Sequence, residues 1–328
     1  MADPEIMRRD RFIRSEPGID IFVREVGPRS GGTRMPLVLV HGGGPGGLAS
    51  FDLPVPGYSL AAELAADGRS VFVMDVRGWG GSSRPAALDE PPERNPPQVN
   101  SVEAARDVAA VVDAVRRERD TPVALLGWAT GGHWGAVATA QHPDAVAALI
   151  VLNSLYSVDA PWGMREAFED PDRPGVFDDA IGAYTWRSAA SLLGGWDRSI
   201  PLAAKDDWRD PRVGEAYVAE ALASDPFSAS HDPPAMRVPT GFQRDSYALS
   251  RGRRFWDAGG IRARCLIVRG ERDFWSRPVD LEFLAEELRN AADVRTLTIP
   301  DATHYLFNDR PQRGRRAFVD AVRDFLTG

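Results

Sequence analysis

The chain is short of cysteine, lysine and histidine, and it lacks any apolar run long enough to cross a bilayer. Each shortage excludes something. Cys265 is the one cysteine in 328 residues, so no disulfide framework can form, and its place in a predicted buried strand makes it a small hydrophobe. The five histidines are scattered, without H-x-x-H or C-x-x-C spacing, so neither a metal site nor a metal cofactor is expected. Lys205 is the one lysine, which leaves nearly all the basic charge on arginine. A net charge of −8 and a pI near 5.3 argue against nucleic acid and anionic membrane surfaces as partners. The longest apolar run, residues 145–152, is too short to span a membrane. Residues 1–6 have no apolar core of the signal-peptide kind. A soluble, cytoplasmic protein is expected, and the sequence leaves homo-oligomerisation open.

A further absence is a single side chain. The stretch Gly127-Trp128-Ala129-Thr130-Gly131-Gly132 follows a β-rich run and has the glycines of the G-x-S-x-G pattern, a sharp strand-to-helix turn that lifts a serine hydroxyl above a parallel sheet. Its centre is Ala129. A methyl group cannot attack a carbonyl, so the chain is expected to be inert in any mechanism that uses this nucleophile.

Four other segments have the marks of a loop following a strand. Residues 36–40 lead into His41-Gly42-Gly43-Gly44-Pro45-Gly46-Gly47, a loop whose backbone N–H groups can turn toward a ligand. Residues 71–74 lead into Asp75-Val76-Arg77-Gly78-Trp79-Gly80-Gly81-Ser82. Residues 265–269 are followed by Gly270-Glu271-Arg272-Asp273, and residues 297–300 by Asp301-Ala302-Thr303-His304. Turn, Asp and His come in the chain order of the α/β-hydrolases.

On these motifs the chain resembles an α/β-hydrolase of the serine-hydrolase type over nearly its whole length. The resemblance implies a mostly parallel sheet flanked by helices, with an inserted helical cap. It implies a core of residues 1–154 and 252–328 and a cap of residues 155–251, where strand-like alternation is missing and aromatics gather. Position 129 would hold a serine nucleophile, His304 the general base and Asp273 the carboxylate that orients it. Asp273 is preferred to Glu271 and Asp301 because Pro278 follows at the family's usual distance. Asn153 occupies an alternative acid position of some relatives and cannot serve as a carboxylate. The oxyanion hole would use the backbone N–H of Thr130 and of Gly43 or Gly44. Trp128 and Trp275 flank the motifs, and Trp162 and Trp186 lie in the cap; all four are candidates for an apolar substrate pocket.

The expected partner is a small-molecule substrate, with no organic cofactor. The reading is hydrolysis of a carboxylic ester or lactone with a bulky apolar or aromatic group through an acyl-enzyme, with Ala129 an engineered Ser→Ala replacement. The glycine loop also resembles those of hydrolases that cleave carbon–carbon bonds in ring-fission products and of prolyl iminopeptidases. For the latter, Glu166, Glu169, Asp170 and Asp172 could bind an α-amino group. A natural Ala129 would instead mark a non-catalytic, ligand-binding homologue.

Overall fold

In the computed structural model, which describes residues 6–328, the short apolar runs become the inner strands of one eight-stranded sheet. Residues 1–5, part of the opening read above as lacking a signal-peptide core, lie outside the described residues. In chain order the strands are β1 (Ile6–Glu16), β2 (Ile19–Pro28), β3 (Leu37–Val40), β4 (Val71–Met74), β5 (Val123–Trp128), β6 (Val146–Leu152), β7 (Tyr184–Ser188), β8 (Ala235–Pro239), β9 (Arg264–Gly270) and β10 (Asp293–Ile299). The main sheet has the order β1-β2-β4-β3-β5-β6-β9-β10, and β7 and β8 form a separate ribbon. β1 and β2 pair antiparallel with each other and β2 with β4, while every other pairing in the sheet is parallel. Every residue of β3, β4 and β5 is buried. Strands covered on both faces need apolar side chains on both, which is why these segments read as continuous apolar runs.

The helices are α1 (Gly47–Phe51), α2 (Leu60–Ala65), α3 (Ser101–Arg119), α4 (Thr130–Gln141), α5 (Ala189–Asp197), α6 (Pro211–Ala223), α7 (Gly241–Ser250), α8 (Pro278–Glu287) and α9 (Arg316–Thr327). None is long and apolar enough to cross a membrane among the described residues. The stripe Val108, Val111, Val112 and Val115 of α3 is buried, as its spacing predicts. Asn100 is the N-cap, accepting from Val102 N and Glu103 N, while the Glu103 side chain accepts from Asn100 N. This reciprocal pair satisfies orphan donors of the first turn, and Ser101 N donates to Asp245 on α7 at 2.6 Å.

Residues 155–251 hold α5, α6 and α7 but also the β7–β8 ribbon, which corrects the expectation of a segment without strands. The ribbon gives no alternation signal because β8 is buried on both faces, Arg237 included. That guanidinium is neutralised by Asp225, at 2.8 and 3.0 Å, and donates to the carbonyl of Leu88 at 2.6 Å. In the main sheet, β3 connects to β4 on one side and β5 lies on the other. The direction of winding reverses there, so the loops after β3 and β5 part and leave a crevice at the carboxyl ends of the strands.

Candidate active site

β5 ends at Trp128 and α4 begins at Thr130, so one residue makes the turn. Ala129 does so at φ 52°, ψ −120°, a region that strains a non-glycine residue by about 1–3 kcal/mol. The surroundings hold it there. Ala129 N donates to Leu152 O at 2.8 Å, and Gly132 N donates to Ala129 O at 3.0 Å. The flanking glycines permit the close approach: a Cβ on Gly131 would lie 2.3 Å from the carbonyl oxygen of His41, and one on Gly127 would lie 2.2 Å from that of Gly131. Ala129 thereby faces a cavity at the carboxyl edge of the sheet.

His304 follows β10 and Asp273 follows β9. His304 Nδ1 lies 2.6 Å from Asp273 Oδ1. An ionised carboxylate only accepts, so Nδ1–H is the donor and Nε2 is the nitrogen left free to accept a proton. The Asp273 side chain is fully enclosed and further accepts from Trp275 N at 3.0 Å and Ser276 N at 2.8 Å. Glu271 and Asp301 are exposed and meet each other and Arg272 instead. Asn153, at the end of β6, ties the two loops together. Its Nδ2 donates to His304 O at 3.0 Å and its Oδ1 accepts from Gly270 N at 2.8 Å. Trp128 Nε1 donates to the same His304 carbonyl at 3.1 Å.

The glycine-rich loop is held from beneath. His41 is buried, and burial lowers its pKa. Its Nε2 accepts from Val76 N at 3.0 Å, which fixes the neutral tautomer with Nδ1–H directed at Gly42 O, 2.6 Å away. Asp75 accepts from Gly47 N at 2.6 Å and Gly81 N at 2.9 Å, and Trp79 Nε1 donates to Gly44 O at 2.7 Å. Arg77 is locked to Asp107 on α3 at 2.7 and 2.9 Å. Position 43 has no room for a side chain, since a Cβ there would sit 2.4 Å from the Phe242 ring. Thr130 opens α4, so its N–H is one of the helix's unpaired donors, at the end that favours negative charge.

The cavity has a volume of about 390 Å³. Gly43, Gly44, Trp128, Ala129, Trp275 and His304 line it, with Asp273 directly behind His304. Trp162 and Trp186 do not. Trp162 lies one layer back, packed against Trp275 and donating to its carbonyl at 2.7 Å. Trp186 packs edge-on against Tyr184 and at a tilt against His231, because successive strand residues point to opposite sides and it is Arg187 that faces the cavity. Glu166, Glu169, Asp170 and Asp172 are also absent from the wall. Sequence reasoning missed Arg187, Arg198, Gln243 and Tyr305 on the wall. Only Tyr305 had a signal, its position next to His304. His133 is buried on α4 against Phe255 and Trp256, where burial lowers its pKa to about 4. Among the described residues no group of three His, Cys, Asp or Glu side chains gathers to hold a metal ion.

Comparison with known proteins agrees with the fold. A model of the alpha/beta hydrolase family matches residues 37–317. Over 171 residues, 52% of this chain and 40% of the relative, it is 32% identical to the human (lyso)-N-acylphosphatidylethanolamine lipase. Over 149 residues, 43% of this chain and 47% of the relative, it is 29% identical to the 2-hydroxymuconate semialdehyde hydrolase of Pseudomonas sp. (strain CF600). The chain thus spans less than half the length of these two relatives. The solved esterase of Exiguobacterium antarcticum superposes with a TM-score of 0.64 at 17% identity, covering 98% of this chain and 100% of that one, a likeness of fold.

Proposed function

The chain belongs to the alpha/beta hydrolase family, and from that premise we propose that its cavity is an acyl-transfer site for carboxylic esters or lactones with a bulky apolar or aromatic part. In this reading position 129 is the seat of a serine nucleophile, and Ala129 silences it. His304 would take the serine proton through Nε2 and return it to the leaving group, while Asp273 holds the tautomer and stabilises the imidazolium. The N–H groups of Thr130 and of Gly43 or Gly44 would bind the oxyanion, each worth about 3 kcal/mol in the transition state. The observation that carries the reading is the strained apex at Ala129, opening onto the cavity that His304 also lines. Retention of everything but the nucleophile supports a Ser→Ala replacement over a homologue that drifted into ligand binding. The apolar substrate class rests on the aromatic wall of Trp128, Phe168, Phe242, Phe274 and Trp275.

A second reading, carbon–carbon bond hydrolysis, draws on the similarity to the 2-hydroxymuconate semialdehyde hydrolase. The aminopeptidase reading loses its basis, because the acidic residues offered for it lie off the cavity wall.

The test is turnover by Ala129→Ser on aryl esters, lactones and ring-fission dienoic ketones beside the chain as it stands. The serine variant is expected to hydrolyse at least one class on the order of 10⁴-fold faster, with a burst of the leaving group. Equal rates for the two proteins would overturn the proposal.

A further inference from the structure

Arg269, enclosed elsewhere in this fold, donates to the carbonyls of Glu271, Asp273 and Ser276, and other enclosed arginines meet a carboxylate: Arg77 with Asp107, Arg237 with Asp225, Arg277 with Asp280 and Arg315 with Glu63. Two arginines on the cavity wall do not. Arg187, on β7, makes no hydrogen bond or ion pair with any described residue. Arg198, which follows α5, lies 5.2 Å over the Phe274 ring and contacts Met164 Sδ, with no acidic partner. The two guanidinium groups act on each other with like charge, and burial lowers the pKa of Arg187. Among the described residues no Asp or Glu lines the cavity. Gln243, on α7, adds a third unused group: its side chain is fully buried at the cavity wall, and neither Oε1 nor Nε2 has a hydrogen-bond partner.

A partly desolvated cation without a counter-charge is costly; Arg187 is such a cation, and the more exposed Arg198 and the idle amide of Gln243 line the same cavity. Tyr305 connects this wall to the centre of the site. It feels the charge of both arginines, and its ring packs 5.1 Å from that of His304.

We infer that Arg187 and Arg198, with Gln243, form an anion subsite in the cavity, and that the molecule it takes is an ester or lactone bearing a free carboxylate. This rests on the hydrolytic reading for which carbonyl reacts, but the subsite is argued from the unpaired groups alone. Guanidinium suits a carboxylate because its N–H groups can address both oxygens at once. The reacting carbonyl lies beside His304 and position 129, and the carboxylate lies one aromatic ring away between the arginines.

Because this chain lacks the nucleophile, an ester ligand survives in the cavity and its affinity can be read by calorimetry. The probes are the monophenyl ester of adipic acid and its primary amide, the same in shape but uncharged. The acid is expected to bind roughly tenfold tighter or more. Arg187→Met and Arg198→Met should each bring the ratio of the two dissociation constants toward one, and Arg187→Lys should restore part of it. Arg198 is exposed, so its variant folds whatever becomes of Arg187→Met. Equal affinity for acid and amide, binding of neither, or a preference that survives both Met variants overturns the inference. Turnover of uncharged aryl acetates by Ala129→Ser tests the hydrolytic reading alone. Turnover without a charge preference would sink only the anion subsite, and a charge preference without turnover would sink only the hydrolysis.

Discussion

Ala129 adopts a conformation that glycine reaches without strain. Its φ of 52° and ψ of −120° place the cost on the Cβ. Replacing it with glycine removes that Cβ but frees the unfolded chain, so the two effects partly cancel. Ala129→Gly is expected to stabilise the fold by about 1 kcal/mol, read as a rise in the urea midpoint with an unchanged slope. A loss of stability would mean that the turn is unstrained. At this scale the sequence was informative where a motif fixed the neighbours. Ala129, Asp273 and His304 were legible because each follows a predicted strand in a recognisable loop. Arg187 was not, since whether Trp186 or Arg187 faces the cavity depends on how the β7–β8 ribbon sits on the rest of the fold.

The loop after β10 shows how one element serves both folding and the site. Asp309 is fully buried there and accepts from Trp196 Nε1 at 2.8 Å, Trp208 Nε1 at 3.1 Å and Thr303 Oγ1 at 2.6 Å. It thus ties two aromatics of residues 155–251 to the residue preceding His304. Burial pushes its carboxyl up to about 7, against an unfolded value near 4. The folded chain therefore holds this proton where the unfolded chain has lost it. The associated stability is complete below about pH 4 and is lost as pH rises through about 7. Asp309→Asn cannot ionise, so its unfolding free energy should fall less steeply than the parent's between those limits in urea titrations. Parallel pH profiles would show that Asp309 is already charged in the folded state. No periodicity in residues 300–310 announces this carboxylate, because its partners arrive from distant parts of the chain.

For the whole molecule, the decisive question is how residues 155–251 are held over the sheet. Arg277, just before α8, grips the chain where this segment leaves and where it returns. Its guanidinium donates to Val158 O at 3.0 Å, Ala160 O at 2.7 Å and Ser250 O at 3.3 Å, and it pairs with buried Asp280 at 2.6 Å. Asp280 in turn accepts from Tyr156 N at 2.9 Å. Arg277→Met strands a buried carboxylate and the Val158 carbonyl, while Ala160 O and Ser250 O keep Arg165 as a donor, and is expected to cost about 3–5 kcal/mol. Proteolysis should then begin within residues 155–251. An unchanged urea midpoint and cleavage pattern would show that the segment is anchored elsewhere.

By itself the sequence determined the layered α/β architecture and the loops that border the cavity. Buried parallel strands must be apolar on both faces, and tight turns at their carboxyl ends must be built from glycine; both demands are local and leave a record in residue type. Tertiary structure alone decided the wall of the cavity. It placed Arg187, Arg198 and Gln243 there and left Trp162 and Trp186 off it. Which face of a ribbon or helix meets the sheet is set by packing between segments far apart in the chain, and a charged side chain looks the same in sequence whether it meets solvent, a carboxylate or an empty cavity.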